Sequence, residues 1–125
     1  MMGGVVKFIG VVEEIDNDVS VIRINEEYSE GLEGLEKNKT INILFWLHQR
    51  DTPEHRKTLK VVPKRHGETE PRGVFSTHSQ SRHNPIGLTV VELLKINDDR
   101  LYVRGLDAYV GSPIIDIKPV GSLNP

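Results

Sequence analysis

The run from Ile86 to Ile96 is apolar on both faces, rich in β-branched residues, and stopped by the turn cluster Asn97, Asp98 and Asp99. β-branched side chains lose rotamer freedom in a helix and fit a pleated surface, so this run reads as a central strand. Leu101 to Arg104 then reads as its hairpin partner. The rest of the chain repeats the pattern of short apolar runs between turn residues. Strands are expected over Lys7 to Val12, Asp18 to Asn25, Thr40 to His48, Leu59 to Val62 and Ile114 to Ile117, with Asn17 and Asp18 turning the first pair. Glycines at 31 and 34 weaken a long helix between Glu26 and Lys37, leaving one helical turn or a compact loop capped by Gly34. Many short, mostly antiparallel strands with long loops predict a mainly β chain closed, or nearly closed, into a small barrel.

Length and composition agree with one domain over residues 1–125: the chain has a mass of 14.1 kDa, and its 37% hydrophobic residues are gathered into runs sufficient for a single core. No run reaches membrane-spanning length, and the start, MMGGVVKFIGVVEEID, lacks the basic region of a signal peptide. A cytoplasmic location and no membrane partner are therefore the expectation. The absence of cysteine excludes disulfides, thiolate nucleophiles and iron–sulfur sites. Neither a G-x-G-x-x-G nor a P-loop is present, which removes a Rossmann-type nucleotide site. With no closed set of ligands, no metal is expected. Ser79, His83 and Asp107 lack the nucleophile elbow that a hydrolase triad of this kind would need.

Charge is unevenly placed. Residues 1–49 carry four Lys/Arg against nine Asp/Glu, whereas residues 50–82 carry eight against four. All five histidines fall in or beside that middle segment. A polyanion is drawn to such a region by counterion release and kept from the acidic part, although a solvated basic loop has the same composition. Lys57, Lys60, Lys64, Arg65 and Arg72 are the candidate phosphate contacts. Between Ser76 and Asn84 every side chain is a hydroxyl, imidazole, amide or guanidinium, and Pro85 and Gly87 then lead into the central strand. A loop so dense in directional donors and acceptors is expected to bind something.

The segment RGVFSTHSQSRHNPIGLTVVEL also resembles the signature of the TsaA-like family, known as YaeB or TrmO, in which R-G-V-F-A-T-R-S-P-x-R-P-N-P-I-G-L is typical. YSEGLEGLEKNKTINILFWLH is similar to the family's acidic turn and aromatic strand, and GLDAYVGSPIIDIKP to its G-[LV]-D-x-x-D-G-T-P-x-[LV]-D-I-K-P. The blocks stand in family order. This chain departs from the pattern at His78, Gln80, His83 and Val110, and has a short turn where relatives carry a basic, proline-containing stretch after the first strand.

The resemblance implies a β-barrel methyltransferase, generally dimeric, that uses S-adenosylmethionine to methylate N6 of a modified adenosine beside the anticodon of tRNA. The alternative is a non-catalytic module of the same fold that binds an adenosyl ligand or a protein. Methyl transfer demands placement of donor and acceptor more than covalent help. Arg82 is the candidate partner of the cofactor carboxylate, with Ser79 and Asn84 adding neutral hydrogen bonds, Leu88 an apolar wall, and Asp107 and Asp116 contacts to ribose. Arg82 serves equally for a salt bridge to a barrel carboxylate, Asn84 for turn chemistry before proline, and Asp116 for pinning its own loop. His48 and His78 are the imidazoles available to take the N6 proton, while His48 also suits a half-buried position bound to a carbonyl. Of Phe45 and Trp46, one belongs to the core and the outward one is placed to stack on a ring.

Overall fold

The computed structural model describes residues 2–63 and 67–121. Two compact units share the chain, one formed by residues 1–46 with 88–125 and the other by residues 47–87. The expected Leu59–Val62 strand and the phosphate candidates Lys57, Lys60 and Arg72 belong to the second unit; Lys64 and Arg65 lie outside the described residues.

The first unit is a closed barrel. Strands β1 (Gly10–Asp16), β2 (Val19–Ile24), β3 (Thr40–Trp46), β6 (Ile86–Asn97), β7 (Arg100–Arg104) and β8 (Pro113–Pro119) close in the order β1-β2-β7-β6-β3-β8. The short β4 (Lys60–Val61) and β5 (Arg72–Gly73) form a separate ladder in the second unit. The mainly β, closed architecture expected from the turn-punctuated runs is the one found.

Local chemistry explains the strand pairs. Asn17 and Asp98 adopt left-handed backbone, with φ of 57° and 56°, at the β1–β2 and β6–β7 turns. Short polar side chains tolerate that region best after glycine. Along β3, Ile41, Ile43 and Phe45 are buried while Thr40, Asn42, Leu44 and Trp46 are not, the alternation expected of a strand with one face inward. With Val12, Ile22, Leu101 and Ile114, each wholly buried, they fill the interior. Register shifts at Val12/Glu14, Leu44/Phe45 and Leu93/Lys95 supply the local bends that help a small sheet close. Gly10 sits where a Cβ would collide with the backbone carbonyl of Arg23, so β1 has no room for a side chain there.

Boundaries moved in ways that tertiary pairing accounts for. The first strand starts at Gly10 rather than Lys7, because β1 is defined by its ladders to β2 and β8. The third strand ends at Trp46: Leu47 donates its N–H to the Pro85 carbonyl at 2.7 Å, and His48 opens a short 3-10 turn to Arg50. Glu26 to Lys37 forms two 3-10 segments, Glu26–Leu32 and Leu35–Lys37, with Gly34 at φ 87° between them. β6 differs most from expectation. Its apolar character on both faces predicted burial on both, yet Leu88 and Val90 are each 55% exposed, because a strand in a single-layer closed barrel has one face inside and one outside.

The second unit runs on hydrogen bonds more than on apolar burial. Helix α1 (Pro53–Arg56) is capped by Thr52, whose hydroxyl accepts the His55 N–H at 3.3 Å, with Pro53 in the first turn. β4 pairs with β5 through Lys60↔Gly73 and Val61↔Arg72, a partner the sequence did not indicate. Val74 and Pro85 are its fully buried anchors.

Candidate functional site

The polar loop from Arg72 to Gly87 is held by its own side chains. Arg72 reaches both oxygens of Glu68 at 3.0 Å and donates to the Ser76 carbonyl at 2.7 Å. Ser76 Oγ donates to the Gly73 carbonyl at 2.8 Å and Thr77 Oγ1 to that of Val74 at 3.0 Å. Ser79 Oγ accepts the Ser81 N–H and donates to the Ser81 carbonyl, both at 3.2 Å. These are side-chain-to-backbone bonds that Ser and Thr make readily in turns, and they carry the loop on from β5 and a 3-10 turn over Val74–Ser76.

Arg82 lies at the centre of it. Nη1 donates to the carbonyls of Thr77 and Ser79 at 3.2 and 3.0 Å, and Nη2 to that of Val74 at 3.1 Å. The expected alternative of a salt bridge to a barrel carboxylate is not what is found: no carboxylate pairs with Arg82 among the described residues. Carbonyl dipoles orient the half-buried guanidinium without cancelling its charge. Arg50 is similar, held by Gln80 Oε1 at 3.4 Å and His55 Nε2 at 3.3 Å. By contrast, Arg56 pairs with Asp51 and Arg72 with Glu68.

His48 and His78 are exposed residues of the second unit. Asn84 is exposed there too, and its carbonyl accepts the Ile86 N–H at 2.7 Å in a tight turn around Pro85. Lys57 follows α1 and Lys60 opens β4, both exposed, whereas the guanidinium of Arg72 is already occupied by Glu68 and Ser76. Leu88, Asp107 and Asp116 belong to the barrel unit: Leu88 on the outer face of β6, Asp107 exposed between β7 and β8, Asp116 on β8. Asp116 Oδ1 accepts the Ile117 N–H at 2.9 Å, the backbone-pinning contact weighed from IDIKP. Phe45 is core, and the outward Trp46 has a ring partner of its own, Phe8, at 5.8 Å. Val110, where the family pattern has an acid, is 55% exposed.

Two features had no warning in the sequence. One is the set Arg50, His55 and Ser81, in which Ser81 stands 26 residues along the chain from His55. The other is a cavity of about 770 Å³ in the barrel unit, lined by Tyr28, Leu32, Leu35, Glu30, Asp116 and Ile117 among others. Much of its lining, apolar at Leu32 and Leu35 and acidic at Glu27, Glu30 and Glu33, comes from the 26–37 turn, which is legible as a motif but not as a wall. Elsewhere on the barrel two acids of the N-terminal part are paired: Glu13 meets Arg100 at 2.8 Å and Arg23 at 3.4 Å, and Asp18 meets Arg104, which also reaches Glu92. The hydrogen bond from Arg100 holds the Glu13 carboxyl below its ordinary range, aided by the charges of both arginines.

A closed six-stranded antiparallel barrel, with a self-bonded polar loop between two of its strands, defines a β-barrel class of protein unrelated to nucleotide-binding α/β folds. Residues 12–122 match the family model described as the tRNA-methyltransferase O N-terminal domain, and the chain belongs to that family. It is 52% identical over 100 residues to an Archaeoglobus fulgidus protein named "S-adenosyl-L-methionine-binding protein", covering 80% of this chain and 68% of that one. A Methanocaldococcus jannaschii protein, named "Probable S-adenosyl-L-methionine-binding protein MJ1583", is 44% identical over 112 residues, with 90% and 88% covered. Among solved structures, one described as "Crystal structure of TrmO" superposes with a TM-score of 0.74 at 28% identity. That superposition covers 96% of this chain and 58% of the other, so the chain spans little more than half of that TrmO.

Proposed function

We propose that this chain, working as one domain, binds S-adenosylmethionine and transfers its methyl group to RNA, with N6 of a modified adenosine beside the tRNA anticodon as the first substrate to test. The observation that carries the reading is Arg82. A guanidinium fixed by three backbone carbonyls, with no carboxylate beside it among the described residues, is a preorganised seat for an anion. Its Nε–H and one Nη2 hydrogen have no protein acceptor among the described residues, which suits the carboxylate of an amino-acid-bearing cofactor. The names of the archaeal relatives support the same ligand.

When bound, S-adenosylmethionine supplies an electrophilic methyl group. The chain's own part is to hold and orient. Arg82 seats the carboxylate, the exposed Asn84 amide adds donors, and His48 and His78 present imidazoles able to accept the proton that the N6 amine releases. Lys57 and Lys60 are exposed cations for the RNA backbone. The Lys64 and Arg65 contacts, homodimer assembly and a cytoplasmic setting belong to the same reading. A non-catalytic adenosyl-binding module is the second reading, favoured by relatives whose names specify binding and by the neutral, exposed Val110.

Calorimetric titration with S-adenosylmethionine, with ATP as the control, tests the cofactor. Saturable binding of the sulfonium compound alone supports both readings, and absence of binding with and without tRNA removes both. Transfer of a labelled methyl group to tRNA then separates them: enzyme-dependent label supports the transferase, and none, with binding intact, leaves the module.

A further inference from the structure

We propose that Ser81 is the hydroxyl this loop presents to an anionic oxygen, and that His55 and Arg50 are the positioning residues that keep its hydrogen available. The inference rests on the cofactor-binding reading above and names a contact within that site.

Of the four hydroxyls in the loop, three have spent their hydrogen on a carbonyl: Ser76 on Gly73, Thr77 on Val74 and Ser79 on Ser81. Ser79, the expected cofactor contact, is therefore a loop fastener whose oxygen also takes the Ser81 N–H. The Ser81 hydroxyl differs. Its oxygen lies 2.7 Å from His55 Nδ1, while Arg50 Nη1 lies 3.3 Å from His55 Nε2. A guanidinium only donates, so Nε2 must be the accepting nitrogen, and the neutral ring then carries its hydrogen on Nδ1. Nδ1–H donates to Ser81 Oγ. The Ser81 hydrogen then has no acceptor among the described residues, which leaves it for a group outside the protein's own network.

The arrangement also says what the pair does not do. A serine beside an imidazole would be a nucleophile if the ring could accept its proton, and that needs a carboxylate on the far nitrogen. Here the far nitrogen faces a guanidinium and not a carboxylate, and Nδ1 is already the donor to the Ser81 oxygen, so Ser81 is a donor and not a nucleophile. The charge around it selects the acceptor. Arg82 is the next residue and Arg50 stands behind His55, and neither has a carboxylate partner among the described residues. A carboxylate or phosphate oxygen is the ligand chemistry that fits.

The tautomer is measurable without any ligand. Long-range proton–nitrogen NMR spectra of the labelled protein are expected to show His55 protonated at Nδ1 and bare at Nε2, and Arg50→Met is expected to shift the ring toward the commoner Nε2–H form. An Nε2–H ring in the wild type overturns the arrangement. Titrations of Ser81→Ala with S-adenosylmethionine, its decarboxylated analogue and a tRNA transcript then locate the oxygen. A loss of about tenfold for S-adenosylmethionine, with the decarboxylated compound unaffected, supports a carboxylate acceptor. A loss confined to tRNA supports a phosphate. Wild-type affinity for all three overturns the proposal. His55→Asn, which keeps a donor near the Nδ1 position, is expected to retain affinity that His55→Ala loses; equal losses also overturn it. Should the wild type bind neither cofactor nor tRNA, the functional reading fails, while the NMR result still judges the His55–Ser81 arrangement.

Discussion

The barrel and the loop unit are stabilised by opposite means. In the barrel, Val12, Ile22, Ile41, Ile43, Leu101 and Ile114 are wholly removed from water, and among the described residues the polar side chains buried with them are Ser20 and Ser112. Among the described residues of 47–87 only Val74 and Pro85 are buried to that degree, and order comes from Arg72, Arg82, Ser76, Thr77 and Ser79 bonding backbone carbonyls. Apolar burial is non-directional and cumulative, so it makes a stable frame that tolerates volume-conserving exchanges but not the loss of a buried side chain. Side-chain bonds to carbonyls are directional and individually modest, so they shape a loop without making it strong. A binding loop needs the second kind of order, because its donors must be aimed while some remain free.

The largest test of the contrast is Ile22→Ala. Removing a wholly buried side chain of β2 is expected to cost about 2–5 kcal/mol in denaturant unfolding, from lost transfer energy and the cavity left behind. A loss below about 1 kcal/mol would mean that the interior is not the frame it is taken to be.

Arg82→Met is expected to reverse the signature. Three carbonyls lose a charged donor, so amide hydrogen exchange over residues 74–82 is expected to quicken and cofactor affinity to drop by about tenfold or more, while the denaturation midpoint of the barrel changes little. Equal damage to loop and barrel would erase the distinction between the units.

The smallest effect is electrostatic and sits on the outside of the barrel. Glu13 is held below its ordinary range by the hydrogen bond from Arg100. A carboxyl depressed in the folded state contributes stability above the unfolded value, about 4.3, and that contribution is lost as pH falls through the lower folded value. The melting difference between wild type and Glu13→Gln is therefore expected to be small at neutral pH, to vanish in acid, and to shrink with salt because the pair is exposed. A difference that grows on acidification would contradict the assignment.

The sequence by itself determined the barrel. Period-two burial in β3, the Asn17 and Asp98 turns and the long β6 run are local properties, and a small sheet with so many short strands closes to remove its edges. It also located the loop, because donors and acceptors in an unbroken run are visible by composition, and the three family blocks were readable in order. Which of those donors is free was not readable. Ser76, Thr77, Ser79 and Ser81 look alike in sequence, and only the fold shows three fastening backbone and one bonded instead to His55. The strand bounds, the exposed outer face of β6 and the β4–β5 ladder were likewise tertiary decisions. The physical reason is common to all of them: periodicity and turn chemistry act between near neighbours, whereas a hydrogen bond such as His55–Ser81 or a pairing such as Val61–Arg72 exists only once folding has brought distant residues within reach.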